Sequence, residues 1–577
     1  MRRALPTVLS ILLVLAVPLE GQEPDPEVRD DLTRERAEEI LAFLNDPGTI
    51  IVSGRSRVPE GTSVSGNVGA IGGPYQVGGR VDGRLVVLNG NLILEPGSEI
   101  TGDIVVTGGR IQGLEHARAG GELTVYRPSL PYTRRGDELA YRAETPEPPA
   151  LFSTDVPYGS ARFTLRAASN YSRVEGLPVL FGPLFETAGT NPLLLEAFGI
   201  WRSTSGLSPD SEELGFRFRV EQAMGGRDEL ALGATLHSEV LPIEKSGLSN
   251  TEASLSTFLL RRDFRDYYER EGWSAYLRYT PGEVPLTLRT EFREDRHRSV
   301  PVRSPWTLGD DEEGWRPQPA VARGDLRSVA TSLILDTRND PVLPSDGWLV
   351  DVELRRGVGG DLGLKALEDE EGTERRRASP VQTSLTWSSV DLRRYLRIGP
   401  SSRLSLRAWG AGALSDSPLP PQLQRALGGE GSVPGHRRFQ GDCGARAAVL
   451  RPAGADGSTA EVFPAYGCDR VALLQAELQR NVGERWNPLP DDWADHPEEW
   501  DWSPFLDFRP RWALFANAGR GWALNGPENG TLPRFHTPTL VDAGLGLFLG
   551  PVGLYWAYPV TERDRGINFF LRIHQRL

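Results

Sequence analysis

Between residues 159 and 577 the sequence alternates apolar and polar residues in one segment after another. One such segment alternates Leu214, Phe216, Phe218 and Val220 with Gly215, Arg217, Arg219 and Glu221. Strict alternation predicts β-strands that have one apolar and one polar face. We count about sixteen such segments, which begin near residues 160, 192, 214, 229, 254, 272, 285, 325, 347, 381, 402, 470, 509, 539, 551 and 566. This part of the chain is therefore predicted to be an antiparallel, all-β unit.

Two architectures fit such strands. A soluble protein would bury the apolar face, whereas a membrane β-barrel would turn it toward lipid and its polar face toward a lumen. The strand lengths favour the barrel, because a tilted strand needs roughly 9–11 residues to cross hydrocarbon. Aromatic residues near strand ends, such as Trp273 and Tyr558, are typical of interfacial girdles. An even strand count also leaves no free edge. We expect a transmembrane β-barrel of about sixteen strands over residues 159–577.

The N-terminal residues 1–21 read as a secretory signal peptide. Arg2 and Arg3 precede an apolar run from Val8 to Val17, which is too short to span a membrane. A retained amphipathic anchor is the alternative. The net charge of −14 argues against nucleic acid as a partner. We expect an exported protein in the outer membrane, in contact with its lipid, with the N-terminal domain in the periplasm.

Residues 26–125 have a different pattern. Residues 26–46 fit an amphipathic helix whose apolar face would cap the segment after it. Within residues 49–125, aliphatic residues recur every six positions, at Val52, Val58 and Val64 and again at Leu88, Leu94, Ile100 and Val106. This spacing predicts a β-solenoid (β-helix) and resembles bactofilin-type domains. Self-association, cell-wall contact and a plain spacer are the roles left open. The Pro-rich residues 126–158 are interpreted as a linker.

Five stretches occur in order within residues 159–577. They are Asp336-Thr-Arg-Asn-Asp-Pro341 with Pro344 and Gly347-Trp348, Leu427-Gly-Gly-Glu-Gly-Ser-Val-Pro-Gly-His436, Ala472-Leu-Leu-Gln-Ala-Glu-Leu-Gln479, Leu514-Phe-Ala-Asn-Ala-Gly519 and Ile567–Leu577. Together they resemble the BamA/TamA-type outer-membrane assembly-factor superfamily (bacterial surface antigen barrels). The resemblance implies insertion or translocation of client proteins at the outer membrane. The solenoid stands where that family has its POTRA repeats.

The resemblance also implies which residues act. The expected gating loop comprises Gly428, Gly429, Gly431, Pro434, Gly435, His436, Arg437, Arg438 and Phe439. The expected family turn comprises Asp336, Thr337, Arg338, Pro341, Pro344, Gly347 and Trp348. The expected closing strand presents Ile567, Phe569, Leu571, Ile573 and Leu577. Asn517 is the expected partner of the loop on the lumen wall.

Two positions depart from the family pattern. Pro434 stands where the family loop has arginine, and Asn517 stands where the facing strand has aspartate. The loss of both charges together is physically consistent, because a single buried charge without a partner would destabilise the protein. We expect the loop still to enter the lumen, through Arg437 or Arg438 or by other contacts.

Cys443 and Cys468 are the only cysteines, and export would allow them to form a disulfide, although two free thiols remain possible. The seven histidines show no metal-ligand spacing, and catalytic motifs are missing from the sequence. We therefore expect no enzyme activity and no cofactor. A structural outer-membrane anchor or passive pore with a self-associating β-helix is the alternative function. The Trp-rich acidic segment 486–505 interrupts the series of strands, and its placement is left open.

Overall fold

The computed structural model describes residues 27–576 except 30–31, 33, 54–55, 73, 131, 136–137, 142–149, 157–158, 189–190, 207–213, 226–228, 245–246, 282–284, 310–313, 339–343, 345, 400–401, 445–447, 454–460, 465, 483–509, 525–533, 550–551 and 574–575. The predicted signal peptide, segment 486–505, Pro341 and Leu577 lie outside the described residues. The chain divides into two compact units, residues 1–141 and 142–577. The helices that the structure describes are all too short or too polar to cross a membrane.

The first unit is a three-sided parallel β-solenoid of about four coils. Its helix α1 is Arg34–Leu44, and its strands are β1 Glu27–Arg29, β2 Ile50–Ser53, β3 Ser56–Val58, β4 Ser63–Ser65, β5 Val68–Ile71, β6 Tyr75–Val77, β7 Arg80–Asp82, β8 Leu85–Leu88, β9 Leu92–Leu94, β10 Glu99–Ile100, β11 Ile104–Thr107, β12 Ile111–Gln112, β13 Arg118–Ala119, β14 Leu123–Tyr126, β15 Tyr132–Arg135 and β16 Glu138–Tyr141. The three faces are the sheets β1-β14-β11-β8-β5-β2, β13-β10-β7-β4 and β12-β9-β6-β3. The predicted β-solenoid is confirmed.

Coil length varies around the predicted multiple of six. Ile50 pairs with Val68, Val68 with Leu85, Leu85 with Ile104 and Ile104 with Leu123, so successive coils take 18, 17, 19 and 19 residues. The corners absorb the extra or missing residue while the strands stay in register.

One residue of the predicted repeat is misplaced. Because the second coil is shorter, Val87 rather than Leu88 aligns with Ala70 and Val106 and packs in the solenoid core. Leu88 lies on the outer face, in the cluster formed by α1.

Helix α1 covers one side of the solenoid and does not close its end, contrary to the expectation from sequence. Its residues Ile40, Leu41 and Leu44 are buried together with Ile71, Val86, Leu88 and Val105, which belong to three successive coils. The helix is shorter than the predicted 26–46, since residues 27–29 form a strand that pairs in parallel with β14. The amphipathic pattern correctly predicts which face of α1 is buried. The position of α1, on one side of the solenoid and not over its end, differs from the prediction.

Part of the predicted linker is folded. Strands β15 and β16 form an antiparallel hairpin, and Leu139 is buried against α1. The Asn45 side chain donates to the Leu139 carbonyl oxygen at 2.8 Å and accepts from the Leu139 N–H at 2.7 Å. The linker interpretation is therefore wrong for residues 132–141, where the Pro-rich composition concealed two short strands.

The second unit is one large antiparallel sheet with short accessory strands. Its helix α2 is Asn250–Leu260, and its strands are β17 Ala150–Val156, β18 Gly159–Ala167, β19 Pro178–Thr187, β20 Leu193–Arg202, β21 Gly215–Met224, β22 Leu230–Pro242, β23 Tyr267–Tyr279, β24 Leu286–Ser299, β25 Gln318–Pro319, β26 Arg323–Asp336, β27 Gly347–Leu364, β28 Leu367–Glu368, β29 Glu374–Arg376, β30 Ser379–Val381, β31 Thr386–Gly399, β32 Ser402–Ala413, β33 Arg451–Pro452, β34 Val462–Phe463, β35 Arg470–Asn481, β36 Arg511–Trp522, β37 Leu540–Leu549, β38 Val552–Pro559 and β39 Asn568–Arg572. The sheet runs in chain order from β17 to β39 without β25, β28, β29, β33 and β34. Strands β30 and β31 both pair with β27, so the wall has seventeen positions.

Two strand assignments from the sequence need correction. The segment near residue 254 is helix α2, not a strand, and strand β19 was not predicted. These two errors cancel, so the count from β18 to β39 is still sixteen wall positions. Strand β17, which pairs with β18 over 150–156, adds the seventeenth, and the linker interpretation is therefore wrong for these residues too.

The two faces of the wall have the polarity of a membrane barrel. On β35, outward Leu474 is 62% exposed while inward Glu477 is 1% exposed, and on β21, outward Phe218 is 46% exposed while inward Glu221 is 8% exposed. A soluble fold would bury the leucine and the phenylalanine and expose the glutamates. An exposed apolar belt around a polar interior requires lipid outside. The all-β, barrel-type fold is confirmed.

The connections separate into a short-turn end and a long-loop end. Only two to six residues separate β21 from β22, β23 from β24, β31 from β32 and β37 from β38, whereas more than twenty separate β22 from β23, β24 from β26 and β32 from β35 at the other end. Asn481, the last residue of β35, pairs with Arg511, the first residue of β36, so this pair of strands is joined at the short-turn end. Most residues of the candidate functional site lie in the long loops and on the wall strands that face these loops.

Candidate functional site

The loop after β32 folds inward and is buried at its tip. Leu427 and Gly441 exchange backbone hydrogen bonds of 3.0 and 2.9 Å at the base of this loop, and residues 432–436 are buried. We call residues 427–441 the inner loop. Two of its glycines are needed for close contact. A Cβ on Gly431 would lie 2.0 Å from Gly247 Cα, and a Cβ on Gly435 would lie 2.7 Å from Asp542 Cβ.

Main-chain atoms hold the tip of the inner loop against the wall. The Gly435 N–H donates to Asp542 Oδ2 at 2.6 Å. The Asn568 side-chain amide donates to the carbonyl oxygens of Pro434 and Gly435, both at 3.1 Å. His436 Nε2 lies 3.2 Å from the Val541 carbonyl oxygen. The tip is therefore attached to β37 and to the last strand, β39, at the same time.

A polar ribbon continues this contact across five wall strands. Asp391 accepts two hydrogen bonds of 2.8 Å from Arg407, and Arg407 donates to Gln475 Oε1 at 3.1 Å. Gln475 donates to Asn517 Oδ1 at 3.2 Å, and Asn517 donates to Asp542 Oδ1 at 2.5 Å. We call these five residues the luminal ribbon. The Gln475 side chain also donates to the Ser432 carbonyl oxygen of the inner loop at 2.8 Å.

The ribbon explains how the two departures from the family pattern are accommodated. Asn517 lies on β36 and its side chain is buried, whereas the anion is Asp542 on the next strand, whose loop partner is a main-chain N–H. A cation still reaches Asn517, because Arg576 donates to Asn517 Oδ1 at 2.9 Å and to Glu477 Oε2 at 3.2 Å. The structure thus brings the charge from the C-terminal tail and not from the loop.

The two arginines that were candidates for entering the lumen behave differently from each other. Arg437 is exposed. Arg438 is 12% exposed and lies 3.6 Å from Glu430, and its Nε donates to the Phe264 carbonyl oxygen at 2.8 Å. Its guanidinium also stacks 5.1 Å from the ring of Phe439. Arg438 therefore fastens the inner loop to the loop before β23, and the buried tip is held by other contacts.

The residues of the expected closing strand point toward the lipid. Ile567, Phe569 and Leu571 are exposed, and Ile573, just after the strand, is half-buried. The alternate residues face inward, where the ring of Phe570 stacks on Tyr555 at 4.9 Å. Among the described residues, no ladder joins β39 to β17 or β18. The free side of β39 is the seam of the wall.

The family turn is held by its own polar residues at the short-turn end. Arg338 donates to both carboxylate oxygens of Asp336, at 2.8 and 2.7 Å, and the Trp348 N–H donates to Thr337 Oγ1 at 2.9 Å. The Pro344 carbonyl oxygen accepts from Arg403 at 2.8 Å. Gly347 has φ +107°, and a Cβ there would lie 2.2 Å from the Thr337 carbonyl oxygen. This turn is remote from the inner loop and contributes to the framework of the barrel.

Cys443 and Cys468 form a disulfide in the structure. The bond is buried with Val433 and Leu427 of the inner loop. It joins the segment after the inner loop to the residues that lead into β35, and so it closes the base of this region.

The described residues do not assemble a metal centre. No three His, Cys, Asp or Glu side chains cluster as metal ligands among them. His237 faces the interior, where its Nε2 lies 2.9 Å from Asp295 Oδ1 and both side chains are buried. This pair belongs to the polar lining of the wall.

Sequence reasoning did not single out Asp542, Arg576 or Glu477 as functional. All three are charged residues that the alternation pattern places on the inward face of a strand or of the tail, so the sequence does contain a signal for them. The alternation identified those faces, but their mutual contacts depend on strand register.

No protein-family model matches the chain. No curated protein matches it either. Among solved structures, BamA from Haemophilus ducreyi lacking POTRA domains 1–3 is similar over 77% of this chain and 74% of that one, with 13% identity and a TM-score of 0.39. CdiB from Escherichia coli is similar over 77% of this chain and 66% of that one, with 12% identity and a TM-score of 0.35.

A barrel of another kind is also similar. The siderophore receptor PirA from Acinetobacter baumannii matches over 70% of this chain and 62% of that one, with 11% identity and a TM-score of 0.28. Likenesses with such TM-scores carry no argument about activity. The first unit of this chain is a solenoid and is not POTRA-like, which distinguishes it from BamA.

Proposed function

We propose that this protein inserts proteins into, or translocates them across, the outer membrane. One observation carries the proposal: among the described residues, the terminal wall strands β17 and β39 each have a ladder on one side only, and no ladder joins them to each other. A strand with free N–H and C=O groups is a template on which another strand can pair. The seam beside β39 would therefore receive a client strand.

The inner loop would gate the interior. It binds β37 through Asp542 and β39 through Asn568, so movement of the seam strand is coupled to movement of the loop tip. A cavity of about 20 Å³ between loop and wall, lined in part by Glu244 and Arg407, holds no more than a water molecule. The burial of the loop tip and its hydrogen bond to the wall support a gated interior over a passive pore.

The remaining parts of the proposal come from the sequence. A signal peptide at 1–21 would direct export, the solenoid would lie in the periplasm, and no catalytic step is required. Client outer-membrane or secreted proteins would be the partners at the seam. The solenoid would supply self-association or cell-wall contact.

Site-specific photo-crosslinking tests the route. A crosslinking amino acid at Phe569 on β39, or at Phe163 on β18, the neighbour of the other edge strand β17, is expected to capture a client protein during its assembly. The matched control is Leu474, which also faces lipid but lies on β35, away from the seam. Equal capture at all three positions would contradict a seam-specific route. Depletion that leaves outer-membrane protein levels normal would favour the alternative, a structural anchor.

A further inference from the structure

The N-terminus of α2 binds the end of the last strand. Ser249 and Glu252 form a capping box, in which the Glu252 N–H donates to Ser249 Oγ at 3.2 Å and the Ser249 N–H donates to Glu252 Oε2 at 2.8 Å. The other oxygen, Oε1, accepts from Arg572 Nε at 2.7 Å and from the Ile573 N–H at 2.8 Å. One carboxylate thus caps a helix in the loop before β23 and binds a residue 320 positions further along the chain.

The contact with Ile573 lies just beyond the end of β39. A strand that continued would offer the Ile573 N–H to a neighbouring strand. Here Glu252 occupies that donor, and the pairing of β39 with β38 ends at Arg572. The side chains of Arg572 and Glu252 are 4% and 6% exposed, so little water competes for this contact.

The tail is held at a second point. Arg576 and Glu477 are each 1% exposed, and the Arg576 guanidinium also stacks on Phe515 at 4.4 Å. Glu477, Phe515 and Asn517 all face the interior. The Ile573 N–H and the Arg576 side chain therefore both bind carboxylates inside the barrel, that of Glu252 in the loop before β23 and that of Glu477 on β35.

We propose that Glu252 and Glu477 form a two-point latch that keeps the end of β39 inside the barrel and withholds it from the seam. The role of this latch rests on the proposed function, since a strand end that is withheld would regulate access to the seam. Its existence as a latch is a separate question from client insertion. Release of both arginines would free the backbone donors of the strand end.

Hydrogen exchange measured by mass spectrometry tests the latch in the full-length protein in detergent. Glu252→Gln keeps a residue that supports the capping box but removes the charge that binds Arg572. We expect the peptide covering 566–576 to exchange at least about tenfold faster, while peptides of β35 are unchanged. Arg576→Gln is expected to act in the same direction through the second point.

The controls separate the latch from a damaged helix. Ser249→Ala loses the cap but leaves the carboxylate for Arg572, so the tail peptide should keep its wild-type exchange rate. Glu252→Arg combined with Arg572→Glu should restore protection. Wild-type exchange in Glu252→Gln, or an equal effect of Ser249→Ala, would overturn the latch. No client protein enters this experiment, so its failure is distinct from failure of the crosslinking at Phe569 and Phe163.

Discussion

The solenoid and the barrel use the same alternation of side chains with opposite polarity. In the solenoid the inward residues, such as Val87 and Ile100, are aliphatic and fully buried. In the barrel the inward residues include the charged and amide side chains of the luminal ribbon, and the leucines face outward. Alternation therefore specifies only that a strand has two unlike faces. Which face becomes the inside depends on the surrounding solvent, water for one unit and lipid for the other.

The difference also decides how each interior tolerates change. The solenoid interior is stabilised by burial of apolar area, which is non-directional. The barrel interior is stabilised by hydrogen bonds and ion pairs whose partners must be in register. The first should therefore fail on introduction of charge, and the second on removal of a single partner.

The largest expected effect is a charge inside the solenoid. Leu92→Asp puts a carboxylate at a fully buried position of the core, where an unpaired charge is strongly destabilising. The first unit should lose its fold, as measured by limited proteolysis of the full chain. Ile93→Asp, the next residue on the outward face, is the matched control and should stay resistant. Equal resistance of the two variants would show that the solenoid interior tolerates a charge as well as its outward face does.

Removing one partner inside the barrel should cost nearly as much. Glu477→Leu leaves Arg576 buried without its carboxylate, which should lower the free energy of unfolding by about 3–5 kcal/mol. Urea unfolding from lipid vesicles measures the change through tryptophan fluorescence. The double variant with Arg576→Leu should recover most of the loss. A change under about 1 kcal/mol in the single variant would show that the pair contributes little.

A smaller effect tests the outward face. Leu474→Arg places a charge on the lipid side of β35 and should cost about 2–4 kcal/mol if the position lies near the bilayer midplane. Leu414→Arg is the control, because Leu414 is 60% exposed but lies just beyond the end of β32, and it should change stability by no more than about 0.5 kcal/mol. If both substitutions are equally mild in vesicles, the apolar belt does not face lipid.

The smallest expected effect is a pH dependence of the tail contact. Burial alone would raise the pKa of Glu252, but the Arg572 guanidinium and the N–H groups of Ser249 and Ile573 hold it at about 2, below the ordinary 4.5. A depressed pKa in the folded state stabilises the protein above pH 4.5, and this contribution is lost as pH falls toward 2. At about 1.4 kcal/mol per pKa unit, it amounts to at most about 3 kcal/mol.

The measurement is the difference in unfolding free energy between the wild type and Glu252→Gln as a function of pH. The difference should be constant above pH 4.5 and should shrink between pH 4.5 and 2. A difference that does not change over that interval would mean that Glu252 is not ionised against Arg572.

The repeated alternation was enough to predict most of the barrel, and its failures have identifiable causes. Strand β19 was missed because Pro178 and Pro183 interrupt a mostly apolar segment, and proline argues against a strand. Pro183 is tolerated because the ladder with β20 skips residues 182 and 183. Helix α2 was interpreted as a strand although Ser249-Asn-Thr-Glu252 is a capping-box sequence, so a signal for the helix is present in the sequence.

The candidate site was predictable in outline only. The position of the inner loop and of Asn517 came from the family resemblance. The contacts of Asp542 with Gly435, 107 residues apart, and of Arg576 with Glu477, 99 apart, depend on how the strands align. A one-residue change in register would turn each of these side chains to the other face, and sequence spacing alone does not fix that register.

The contact between Gly435 and Asp542 leaves the chemistry of the inner loop unusually free to vary. Asp542 recognises an N–H that every residue except proline possesses, and Asn568 recognises carbonyl oxygens that all residues possess. Side chains near the tip can therefore diverge without loss of docking, provided that position 435 stays without a Cβ. The surface chemistry of the loop can therefore change while its attachment to the wall stays the same.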